Sequence, residues 1–221
     1  YFKDHFILKD MMNIALPLTG SRILHTCYNF IEPIVLVAIL TKLNINESDI
    51  HMQYAIISGY VISLLVTPTF FNNVVLRLLL PILNKDIAYR RLRDLRKHVI
   101  YGVIVCFLIS LPFTLLFYFW GDKCLLFMYN TNNGYDYLKY MSIPFTLFYL
   151  QTPLSATLQA LNKNKEMFMM STLEVIIEFV CLLILTPRYH VLSVAMVMLI
   201  GLFTTLVLSI YHVYKYVYRE A

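Results

Sequence analysis

Four side chains able to handle charge stand inside the apolar stretch at residues 14–40: Arg22, His25, Asn29 and Glu32. At 100° per residue they fall within an arc of about 80° on one side of a helix. Lipid cannot satisfy such a ladder, so it has to face protein or water. Arg22 can contact an anionic substrate from within a cavity, or form a salt bridge to a carboxylate. His25 alone reads as a hydrogen-bonded core histidine, and in the ladder as a candidate ligand or proton relay. Glu32 lies toward the outer end, within reach of interfacial water. A second group repeats the pattern at residues 166–185. Ser171, Glu174 and Glu178 have i, i+3, i+7 spacing and share one face. Two carboxylates there repel each other unless one takes a proton or a cation intervenes. They are candidates for ion or proton coupling, or for a pair with Arg22 or His25. Arg77 is a candidate for holding an anion at a cytoplasmic mouth, with snorkelling toward nearby basic residues as the plainer reading. Asn72 and Asn73 read as interhelical hydrogen-bond formers.

Enzyme chemistry has no such foothold. HExxH, GxSxG, paired-aspartate and glycine-rich phosphate motifs are missing from the sequence. No catalytic residue, metal ligand or cofactor is assigned, and the chain is not expected to be an enzyme. Cys27, Cys106, Cys124 and Cys181 lack CxxC spacing and are read as neither disulfides nor a metal site.

The elements that must position these residues are membrane helices. Of the 221 residues, 59% are hydrophobic, and the mean hydropathy is +0.67. Soluble domains run near about 45–50% apolar. Six spans are expected, at about 12–41, 52–83, 98–120, 138–161, 166–185 and 190–211. The first would be roughly 43 Å long as a straight helix, longer than the ~30 Å hydrocarbon core. Tilt, protrusion or a kink at Pro33 must absorb the excess, and Pro68 and Pro144 are further expected bends. Residues 121–137 read as a loop.

Residues 84–97 read as a basic cytoplasmic loop. It holds Lys85, Arg90, Arg91, Arg93, Arg96 and Lys97, with room for a short interfacial helix. A net charge of +5 could point to nucleic acid, but its distribution points to a positive-inside anchor. With the N-terminus inside, the inner segments hold those six residues plus Lys3, Lys9, Lys163, Lys165, Lys215 and Arg219. The outer segments hold only Lys42, Lys123 and Arg188. This asymmetry supports six spans with both ends cytoplasmic. Without an initiator Met or a signal peptide, the chain reads as a piece of a longer protein.

Three stretches look familiar: IALPLTGSRILHTCYNFIEPIVL, QYAIISGYVISLLVTPTFFNNVVLRLLLPILN and IPFTLFYLQTPLSATLQALNKNKEMF. In this order they resemble the polysaccharide-exporter branch, sporulation-linked and MurJ-like, of the multidrug/oligosaccharidyl-lipid/polysaccharide (MOP) flippase superfamily. The resemblance covers most of the chain. It implies an all-α integral membrane protein of six transmembrane helices, forming the C-terminal lobe of a two-lobed MATE/MOP-type transporter in a bacterial plasma membrane. It also implies alternating access and a lipid-linked oligosaccharide or peptidoglycan precursor as substrate. The implied partners are membrane lipids and the missing N-terminal lobe of the same chain, without nucleic acid. In flippases of this type cationic side chains meet the pyrophosphate, and Arg22 and Arg77 occupy suitable helices. The last span has fewer glycines than the family leads one to expect, and the chain is rich in Tyr and Phe, which leaves the substrate open. Two alternatives stand beside this reading. One is a cation-coupled multidrug exporter leaning on Glu174 and Glu178. The other is a non-transporting membrane scaffold for cell-wall or spore assembly, with the ladder as interhelical glue.

Overall fold

A computed structural model describes the backbone of residues 2–219 and the side chains of Met12 and residues 15–219. The expected basic side chains Lys3 and Lys9 lie outside these described side chains. The chain is an all-α membrane protein, and among the described residues every regular element is helical. In lipid, backbone polar groups have to pair within the segment itself, which a long apolar run achieves only as helix.

The first helix, α1, spans Phe2–Lys42. Asn46 caps α2, Glu47–Tyr54, by accepting a hydrogen bond from the Ser48 amide at 3.4 Å. The chain then widens into a π-helical segment, Ala55–Ile62, and makes one further α turn, α3, Ser63–Val66. Five long helices and a short π-helical turn follow: α4 (Thr69–Ala88), α5 (Leu92–Tyr129), α6 (Tyr135–Ala160), α7 (Asn164–Tyr189), α8 (Leu192–Tyr214) and the closing turn Lys215–Arg219, of which α4 is the shortest helix.

Among the described residues, five helical segments are long and apolar enough to cross a membrane: Ala15–Lys42, Glu47–Val66, Leu92–Tyr129, Asn164–Tyr189 and Leu192–Arg219. The helix α6, expected as a span over 138–161, is of similar length but less apolar. It carries Ser142, Thr146, Gln151, Ser155 and Thr157. Its surroundings explain this. It packs against α4, α5 and α8 and buries Phe145, Tyr149, Leu154 and Leu158. A helix enclosed by protein has less need of an apolar surface all round. Its polar groups find protein partners: Thr146 and Thr114 hydroxyls lie 3.1 Å apart, and Gln151 Nε2 donates to the Leu202 carbonyl at 3.0 Å.

Several connections are more helical than expected. Residues 84–97 form helix except at 89–91, where α4 ends with the Arg91 amide bonded to the Asp86 carbonyl at 2.8 Å and Arg90 at φ 53°. That is a left-handed helix stop, here filled by arginine instead of glycine. The basic stretch, expected as a loop with room for a short helix, is thus mostly helical, and its leucines and isoleucine have helical spacing. Residues 121–129 likewise extend α5 beyond a distortion at Trp120 (φ −125°, ψ 21°), up to Asn130 in the left-handed region. The helices α1 and α6 continue through Pro33 and Pro144. Prolines are tolerated in membrane helices where neighbours and local adjustments satisfy the freed groups. The interruption expected at Pro68 is present, and there the Tyr149 hydroxyl donates to the Leu65 carbonyl at 2.6 Å.

One contact makes the packing of α4, α5 and α6 testable. A Cβ at Gly102 of α5 would stand 2.7 Å from Leu79 Cδ2 of α4 and 3.2 Å from Pro153 Cβ of α6. Gly102→Val is expected to destabilise the protein by about 1–3 kcal/mol through overpacking. The measurement is thermal unfolding in detergent, and an unchanged midpoint would refute the close approach.

Candidate functional site

The face of α1 that carries the polar ladder lies against α7. Gly20 allows this approach, since a Cβ there would meet Phe168 Cε2 at 2.8 Å. About one and a half turns further on, His25 Nε2 stands 3.4 Å from Glu174 Oε2, linking the helices. Beyond this link opens a cavity of about 650 Å³. From α1 it is lined by His25, Tyr28, Asn29 and Glu32. From α7 come Ser171, Glu174 and Glu178, and from α8 Met198, Leu202 and Thr205. Ser58 and Ile62 of the π-helical segment and Gln151 and Ser155 of α6 complete much of the wall.

The structure thus brings together six of the residues singled out in the sequence: His25, Asn29, Glu32, Ser171, Glu174 and Glu178. Arg22 is exposed, one turn before His25 on the same arc, and is not part of this lining. Its guanidinium makes no ion pair or hydrogen bond among the described residues. Arg77 is exposed on α4 and is also outside the lining. The buried Asn72 Nδ2 reaches the Tyr149 carbonyl at 3.5 Å, bridging α4 and α6, whereas Asn73 is exposed.

The pairing of the carboxylates differs from the simplest expectation. His25 meets Glu174, while Glu178, one turn further along, turns toward α8. Its carboxylate lies on the surface that Gly201 leaves open. A Cβ at Gly201 would be 2.7 Å from Glu178 Cδ and would overlap its Oε1. Glu174 and Glu178 are only 8% and 7% exposed, so water screens them little.

Three carboxylates and one imidazole therefore share a wall that holds no lysine or arginine. The His25–Glu174 contact balances at most one of the three charges. Such a cavity attracts a proton or a cation and repels an anion. Among the described residues, no three His, Cys, Asp or Glu side chains gather tightly enough to hold a metal ion. The acids are strung along the wall.

Other lining groups have no counterpart in the sequence reading. The Tyr28 hydroxyl is buried beside the Glu32 carboxylate, and the Thr205 hydroxyl is buried on α8 without a hydrogen-bond partner among the described residues. Ser58 sits in the π-helical segment, where its hydroxyl donates to the Tyr54 carbonyl at 2.8 Å. Single π turns in α-helices are frequent at functional sites. The only hint in the sequence is a small-residue pair, Ser58 and Gly59, within an apolar run.

The MatE family's sequence profile matches residues 79–184. Stage V sporulation protein B of Bacillus subtilis (strain 168) is 26% identical over 179 residues, covering 81% of this chain and 35% of that protein. Sporulation protein YkvU of the same organism is 24% identical over 164 residues, covering 73% of this chain and 36% of its own length. The chain spans about a third of the length of these curated relatives. No solved structure matches it.

Proposed function

We propose that this chain, an all-α membrane protein similar to the MatE family over residues 79–184 and to stage V sporulation protein B over most of its length, forms the C-terminal six-helix lobe of a lipid-linked oligosaccharide flippase. Its substrate class is an oligosaccharide or peptidoglycan precursor on a lipid carrier, moved by alternating access. Its place is a bacterial plasma membrane, with both ends of the chain on the cytoplasmic side. Its partners are that lipid substrate, membrane lipids and an N-terminal lobe of the same chain. It works as a transporter, without a cofactor or nucleic acid.

The observation that carries the mechanism is the shared cavity of Glu32, Glu174 and Glu178. When these groups are charged, their repulsion pushes α1 and α7 apart. When a proton or cation neutralises them, the walls draw together. Binding then shifts the balance between two arrangements of packed helices, which is what coupling requires. The spread of the acids along the wall favours a proton over a caged metal ion. Arg22, on the same arc one turn away, is the group proposed to meet the substrate's phosphates in the gap between lobes. Arg77 has the supporting role at the mouth. The open cavity speaks against the scaffold reading, which calls for a ladder closed within the bundle.

One observation favours the multidrug exporter as a second reading. The wall is acidic and holds no arginine, which suits an organic cation. Proteoliposomes of the full-length protein separate the two. In the flippase, Arg22→Ala abolishes translocation of a lipid-linked sugar at unchanged protein level. In an exporter, Arg22→Ala leaves organic-cation transport intact and Glu178→Gln removes it. Normal sugar-lipid translocation by the Arg22 variant would sink its assignment to the phosphates.

A further inference from the structure

The exposed side of α5 changes chemistry along its length. Arg93, Lys97, Ile100, Tyr101, Ile104 and Leu108 are all exposed. They fall within an arc of about 100° around the helix. The four from Ile100 onward form a continuous surface suited to lipid chains. The two cations sit at its end, some 5–10 Å along the axis from Ile100. The turn before α5 adds Arg90 and Arg91, also exposed.

Of the two acids near these cations, one is engaged elsewhere and the other makes no ion pair with them among the described residues. Asp86 is buried, with its Oδ2 2.6 Å from His98 Nδ1. Asp94 stands about 100° round the helix from Arg93 and makes no ion pair among the described residues. The remaining arginine of the segment, Arg96, is turned inward. Its Nε donates to the Val217 carbonyl at 3.1 Å, and its guanidinium lies 4.9 Å from the Tyr218 ring centre. Four exposed cations stand at the end of the apolar stripe, with the Arg91 guanidinium 5.4 Å from the Tyr89 ring centre.

We propose that this stripe binds an anionic phospholipid, with its phosphate held by Arg93 and Lys97 beside Arg90 and Arg91 and its acyl chain lying along Ile104 and Leu108. The apolar continuation is what selects a lipid over a soluble anion. Basic side chains with long stems place their charge at headgroup depth while the stems lie on apolar surface. Clustered cations beside a membrane helix attract acidic headgroups. The site is separate from the acidic cavity, and its role is to seat the lobe against an acidic leaflet.

Native mass spectrometry of the full-length protein, released from micelles containing equal phosphatidylglycerol and phosphatidylcholine, tests the site. The protein is expected to retain phosphatidylglycerol in preference. The double variant Arg93→Gln/Lys97→Gln loses this retention by about ten-fold or more. Arg93→Lys/Lys97→Arg, which preserves the charge, keeps it. Lys123→Gln, a charge loss elsewhere on the same helix, also keeps it. Millimolar inorganic phosphate leaves the lipid bound. Equal retention of the two lipids, undiminished retention in the glutamine variant, equal loss with Lys123→Gln, or displacement by phosphate alone would each overturn the proposal.

Discussion

Glu178→Gln is expected to lower coupled transport by the full-length protein roughly a hundred-fold, near the upper end of ordinary coupling free energies. Glutamine keeps the size and the place against Gly201 but cannot exchange a proton at this position. The carboxylate is 7% exposed and lies in one wall with two others, so its charge state bears directly on whether α1, α7 and α8 can close together. Glu174→Gln is expected to have a smaller effect, because Glu174 already has His25 at 3.4 Å to balance it. The measurement is substrate movement in proteoliposomes with and without an imposed pH gradient. The Glu178 variant should lose the response to the gradient while retaining the parent's unfolding midpoint. A full response in that variant would remove Glu178 from the coupling site.

The ordering of these effects could not have been read from the sequence, although the residues could. Helical periodicity placed Arg22, His25, Asn29 and Glu32 on one arc, and Glu174 and Glu178 on another, because backbone geometry alone sets those faces. Which arc meets which is decided by how α1 crosses α7, and that depends on contacts such as Gly20 with Phe168. The axial level of that crossing puts His25 at Glu174 and leaves Arg22 outside the lining. Hydropathy marked apolar helices well, but it measures composition and not surroundings. It therefore says little about how α6 sits, since a helix wrapped by α4, α5 and α8 can carry threonines and a glutamine. Residues 84–97 read as a basic loop with room for only a short helix for a related reason. Arginine and lysine are good helix formers, and only the turn at 89–91 interrupts the helices there. The π-helical segment Ala55–Ile62 differs from α-helix by a small local widening that residue types scarcely encode.

Gly201 is the position where packing and function meet most closely, and a double-mutant cycle can measure the meeting. A Cβ at Gly201 would overlap the Glu178 carboxylate, whereas one at Gly59 would meet nothing within 4 Å. Gly201→Ala should therefore force Glu178 out of its seat, at a loss of about 1–3 kcal/mol from overpacking, and should reduce coupled transport with it. If the carboxylate is the obstacle, shortening it must relieve the strain. In the Glu178→Ala background the same Gly201→Ala change should be close to neutral, giving an interaction energy of about 0.5–3 kcal/mol between the two sites. Gly59→Ala serves as the comparison and should leave the unfolding midpoint where it is or raise it slightly through the unfolded chain. Additive effects of the Gly201 and Glu178 substitutions would mean that α8 does not hold this carboxylate. The coupling proposal would then lose the helix through which a change in charge on α7 reaches the rest of the bundle.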